Sequence, residues 1–99
     1  MVVGVCHIGI LIHDNRSLKG KRRVLKKVME NVKNRFNVSV AEVGSQDLWQ
    51  RAEIGVSAVG SDGSVVNSLM DRILNFIEGL HVVEIVEHDI ELINCSPFK

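Results

Sequence analysis

Two segments of this chain repeat apolar residues every three to four positions, and each is flanked by segments that alternate every second position. That succession leaves few ways to bury the apolar faces. Leu18, Arg22, Leu25, Val28 or Met29, Val32 and Phe36 trace the first helical stripe, and Asp14, Asn15 and Ser17 ahead of it supply capping oxygens, which predicts a helix over residues 17–35. Val66, Leu69, Ile73, Phe76 or Ile77 and Leu80 trace the second. It is entered through Ser61-Asp62-Gly63-Ser64 and closed by Gly79 as a C′ residue, so the helix is expected over residues 62–78.

The alternating segments read as strands. VVGVCHIGILIH, residues 2–13, sets Cys6, Ile8, Ile10 and Ile12 on one side and His7, Gly9, Leu11 and His13 on the other. NVSVAEV over 37–43 places Val38 and Val40 opposite Ser39, Ala41 and Val43, and residues 51–59 collect Ala52, Ile54, Val56 and Ala58 on one face. The last strand, residues 82–93, slips in phase from Val83 and Ile85 to Val86, Ile90 and Leu92, which predicts a bulge or a change of burial near Glu87.

A β-α-β-β-α-β order with right-handed crossovers is the ferredoxin-like α+β sandwich: a four-stranded antiparallel sheet in the order 4-1-3-2 with both helices on one face. The 99 residues, 45% apolar and 24% charged, suit one domain, residues 1–99, with its own core. No run approaches the roughly 18 apolar residues of a membrane helix, the apolar start lacks a basic leader and a small-residue cleavage site, and two cysteines make no disulfide framework. A cytoplasmic protein with no membrane partner is expected, with Cys6 and Cys95 as buried thiols.

Charge is balanced at twelve basic against twelve acidic residues, but it is segregated. Nine of the basic residues fall between Arg16 and Arg35, and ten of the acids between Glu42 and Glu91. Arg16 stands at the start of the first helix, and Lys19, Arg23, Lys26, Lys27 and Lys33 are expected on its solvent side with Glu30 as the helix's one acid. Such a ridge can follow a phosphate backbone, and it can equally be a solvated face or one that docks on an acidic protein. Aromatic residues for base stacking are few, since Tyr is absent and Phe36 and Phe76 take core positions.

SLKGKRRVLKKV (residues 17–28), RFNVSVAEV (35–43) and DLWQRAEIGV (47–56) together resemble the YlxP-like family, a bacterial domain family of unknown function, and the resemblance runs over nearly the whole chain. It implies a ferredoxin-like fold in a small bacterial cytoplasmic protein, sometimes placed near translation and ribosome-maturation factors by gene neighbourhood. It implies no reaction, cofactor or catalytic residue. Residues 94–99 carry no pattern that aligns.

Other chemistry is weakly signalled. His7 and His13 are six residues apart, roughly 20 Å along a strand, too far to ligate one ion; His88 and Asp89 lie on the strand expected beside them, and no metal is expected. The loop from His13 to Ser17 leads into a helix N-terminus where an anion is favoured, but simple capping explains the same letters. Glu42 and Glu53 flank the central hairpin with nothing to act on, Ser39 and Ser57 have no His at triad spacing, and no phosphate or dinucleotide glycine pattern is present. A non-catalytic module without a cofactor is expected, binding RNA or a ribosome-associated partner through its first helix.

The alternative is an interaction or regulatory module that uses the open sheet face, with a small ligand at a dimer seam. That face would carry Gly9, Leu11, Ser39, Ala41, Val43, Gly55, Ser57 and Val59, small and partly apolar, which a second copy would bury. Leu11, Ala41, Val43 and Val59 are the expected interface of a homodimer. Trp49, in the connection before the third strand, serves either as a cap over the end of the sandwich or as an anchor at that interface.

Overall fold

A computed structural model describes residues 1–96; of the patternless tail, residues 97–99 lie outside the described residues. Six elements follow in the order β1 (Val2–Leu11), α1 (Leu18–Arg35), β2 (Ser39–Gly44), β3 (Arg51–Gly60), α2 (Gly63–Gly79) and β4 (Glu84–Asn94). The sheet runs β2-β3-β1-β4 with every neighbouring pair antiparallel, which is the expected 4-1-3-2 order read from the other edge. Strand ends differ from expectation by at most two residues, because pairing stops where a neighbour turns away.

One face of the sheet is buried and the other is not. Cys6, Ile8, Ile10 and Ile12 from the first strand meet Ala52, Ile54, Val56 and Ala58 from β3 in a single cluster with Leu25, Val28 and Val32 of α1 and Val66, Met70, Ile73 and Ile77 of α2. Both helices therefore sit on the same side. The close approach of α2 depends on Gly4, where an added Cβ would stand 2.3 Å from Val66 Cγ1.

The phase slip in the last strand is a register shift. Gly9 pairs with Glu87 and Ile10 with Ile85, so the ladder passes over Val86. The extra residue keeps Ile85, Ile90 and Leu92 on the helix side, opposite Ile10, Cys6 and Gly4, while Glu87, Asp89 and Glu91 point to the open side.

Two local expectations are corrected. Leu18 and Arg22 are exposed, and Lys21 takes the inward position one turn before Leu25 at 2% exposure. No described glycine has a positive φ: α2 ends through Leu80, and His81 at φ 55° takes the left-handed conformation assigned to Gly79. The hydrogen bonds from Leu80 N to Ile77 O and from His81 N to Glu78 O tighten that last turn, so the chain reverses two residues later than the glycine suggests.

Candidate nucleic-acid interface

Helix α1 is started by Ser17, whose hydroxyl accepts from Gly20 N at 3.0 Å, and its apolar stripe is narrow. Lys19, Arg23, Lys26, Lys27 and Lys33 succeed one another by steps of four, three, one and six along the opposite side, and all are exposed, as are Arg16 and Arg22. At 1.5 Å per residue the row from Lys19 to Lys33 is about 21 Å long. Among the described residues, none of these side chains lies within 4.0 Å of a carboxylate. The ion pairs are instead His7–Glu53, His13–Glu84, Lys21–Glu42 and Arg51–Glu87. Arg35 leaves the row and stacks over the ring of Phe76, 5.3 Å from its centroid, beside the edge-on Phe36–Phe76 pair.

Lys21 does something different from its neighbours. Its ammonium donates to Ser45 O at 2.5 Å and Leu48 O at 2.7 Å, with Glu42 Oε2 at 3.6 Å, so a buried charge is met by three acceptors. It thereby ties the β2–β3 connection to the first turn of α1. Asn15 ties it again: its side-chain amide donates to Trp49 O at 2.5 Å and to Ser17 O at 2.8 Å, and Gln50 Nε2 returns a bond to Asn15 O. Nothing in the letters distinguishes Lys21 from the six other basic residues between Lys19 and Lys33; only its four-residue step to Leu25 marks it.

Trp49 is 53% exposed on this connection, and Leu48 beside it is half exposed. With Leu11, Asp47, Gln50 and Arg51 they line a shallow cleft of about 450 Å³ at the end of the sandwich. Of the expected dimer residues, Leu11 and Trp49 are thus grouped at one end, while Ala41 and Val43 lie mid-sheet and Val59, 67% exposed, lies at the far end.

The open face forms a trough of about 410 Å³ over Val5, His7, Ser39, Ala41, Gly55 and Ser57, bounded by Val43 on one side and Asp89 and Glu91 on the other. Gly55 is the low point, since a Cβ there would meet Val43 Cγ1 at 2.9 Å. At the trough's edge Ser45 Oγ donates to Glu53, and Glu53 Oε1 pairs with His7 Nε2 at 3.0 Å. The Ser45 hydrogen bond, followed by the His7 and Arg51 charges, holds the Glu53 carboxyl below the usual range.

The three imidazoles do not gather. His88 pairs with Ile8 and so shares the helix side, His7 lies on the open side, and His13 bonds Glu84 Oε1 at 2.6 Å beyond the end of β1. Cys6 pairs with Ile90 in mid-sheet while Cys95 bonds the backbone of Met1, roughly 16 Å further along the ladder at 3.3 Å per residue, so the two thiols are free. Cys95 is only partly buried. No helix among the described residues is long and apolar enough to cross a membrane.

Fold and surface together define a small ferredoxin-like α+β domain with a basic helix whose solvent-side row makes no ion pair among the described residues, and with an uncovered sheet face. The chain belongs to the family described as Protein of unknown function (DUF503), which matches residues 3–90. It is 40% identical over 83 residues to the uncharacterized protein YlxP of Bacillus subtilis (strain 168), covering 84% of this chain and 90% of that one, in agreement with the resemblance of its motifs. Among solved structures it is similar to the de novo designed protein Foldit4, with a TM-score of 0.53 and 19% identity over 97% of this chain and 100% of the other, a likeness of fold alone. SnoaB, a cofactor-independent oxygenase from Streptomyces nogalater, aligns over 98% of this chain and 95% of its own with a TM-score of 0.49 and 8% identity.

Proposed function

We propose that this chain is a small non-catalytic module that binds RNA through the solvent side of α1. The observation that carries the reading is the unpaired state of the row: among the described residues Arg16, Lys19, Arg23, Lys26, Lys27 and Lys33 face solvent without a carboxylate within 4.0 Å, while Glu42, Glu53, Glu84 and Glu87 pair with cations or histidines elsewhere. Arg16, Lys19 and Arg23 also crowd the positive end of the helix dipole, and α1 has no acid in its first turn, so an anion there relieves repulsion. A solvated face needs no such concentration of like charge.

Binding to a phosphate backbone releases condensed counterions, so for about four contacts on single-stranded RNA log K falls with log salt at a slope near −3. Base sequence has little effect in this mode. Replacing Arg23, Lys26 and Lys27 together by Gln keeps helix propensity, changes stability by no more than about 1 kcal/mol, and flattens the slope by roughly two units. Filter binding across a salt series measures both. Equal binding by parent and triple variant at every salt concentration, or no binding by the parent at low salt, defeats the proposal.

A second reading rests on the trough of about 410 Å³ in the open sheet face. Val5, Ala41 and Val43 give it an apolar lining, and a second copy, or a small ligand held between two copies, would remove that lining from water.

A further inference from the structure

Resting on the basic-helix reading and deepening it, we propose that Trp49 is the stacking platform for one base of a single-stranded RNA whose backbone lies along α1. The chain has one tryptophan, and it is half exposed at the end of the molecule where the basic row begins. Its loop is braced there. Lys21 Nζ holds Leu48 O, Asn15 Nδ2 holds Trp49 O at 2.5 Å, and Ile12 N donates to Gln50 O at 2.8 Å. Residues 48, 49 and 50 each have their carbonyl occupied by the β1–α1 segment or by α1 itself, so the ring is presented from a fixed backbone and little ordering entropy is lost when a base settles on it.

The cleft beside the ring suits a base better than a phosphate. Leu11 and Leu48 supply apolar walls, Arg51 is already engaged with Glu87 at 2.5 Å, and Asp47 contributes a negative charge that repels phosphate. The free cations are next door: Arg16 directly follows Asn15, and Lys19 lies in the first turn of α1. Phosphates are thus drawn to the helix and a base to the cleft, which requires a base that is unstacked and unpaired. Single-stranded RNA offers one, whereas a duplex keeps its bases inside.

Because Trp49 is the sole tryptophan, its emission reports on the contact directly. Titrating a short oligouridylate into the whole protein at low salt is expected to quench that emission along the same isotherm as binding measured by anisotropy of a labelled oligomer. Trp49→Ala should weaken binding about tenfold, in the range of one base–aromatic stack, and leave the salt slope unchanged; Trp49→Phe should keep most of the affinity. An unchanged thermal melt for both variants establishes that the fold is intact, and quenching of the parent stands without either variant. If oligouridylate binds with no change of emission and Trp49→Ala binds as the parent does, the stacking role is wrong and the basic-helix reading stands. If the parent binds no oligouridylate even at low salt, both are wrong. Emission that shifts with protein concentration in the absence of RNA assigns the ring to a contact between copies and overturns the inference.

Discussion

Lys21 and Asn15 together fix the β2–β3 connection, and of the two only Lys21 is fully buried. Lys21 is therefore the more exacting position. Its two hydrogen-bonded carbonyls and the neighbouring Glu42 are all supplied by the β2–β3 hairpin, so removing the ammonium leaves acceptors without donors at a site almost closed to water. Lys21→Met keeps the hydrocarbon stem and should cost about 3 kcal/mol in urea unfolding; a loss below about 1 kcal/mol would mean that water satisfies the loop. Cys6 makes a pH-dependent contribution. Burial, and after it the charges of Asp89 and Asp71, push its thiol up to about 11 from 9.0. Below pH 9 the thiol is protonated in both folded and unfolded states; between pH 9 and 11 the unfolded chain loses the proton first, so folded stability falls over that window. The melting temperature of the parent should therefore decline more steeply there than that of Cys6→Ala, and parallel declines would refute the assignment.

At the scale of elements, α1 is a helix of low intrinsic advantage that is held by its ends and one stripe. It contains a glycine in its first turn, has no acidic residue there, and crowds like charges along its outer side, while Lys33 and Arg35 complement its C-terminal end. The Ser17 cap is correspondingly important, and Ser17→Ala should destabilise the protein by about 1 kcal/mol, checked by thermal melting. An unaltered melt would show that Asn15 or solvent takes over the cap. The second helix depends less on any one contact, because Asp62 caps it through Ser64 N at 2.8 Å and its buried stripe is wider; only the chain reversal after it, at His81 instead of Gly79, departs from the expected one. The two helices were legible for the same reason: apolar side chains at three- and four-residue steps have one common face. Lys21 was not, because a lysine in a basic run carries no mark of facing inward until the hairpin that receives it is placed.

Across the whole molecule, charge is divided between layers. The basic row lies on the helix layer, and Glu87, Asp89 and Glu91 form a row on the open face of the edge strand β4. Beside that acidic row the trough crosses the open face through Ala41, Gly55 and His7, the cross-strand row that ends at Asp89. If a second copy covers this face, Ala41→Arg puts an unpaired charge at the middle of the interface, costs several kcal/mol of association and yields monomers by light scattering. A parent protein already monomeric at high micromolar concentration removes that reading and leaves the helix as the working surface.

Periodicity alone determined the order of elements, the faces of the strands and the site of the register shift, because each is a local rule about which side chains lie on one side of a backbone. It also determined that basic residues concentrate on α1, since helical spacing is enough to place Lys19, Arg23, Lys26, Lys27 and Lys33 away from the apolar stripe. Tertiary structure decided what depends on distant segments meeting: that Lys21 turns inward to a hairpin more than twenty residues away, that His88 faces away from His7, and that Cys95 is far from Cys6. It also brought the Trp49 loop against the start of α1. Those relations are set by strand register and loop closure, and a register is a property of two segments paired in space.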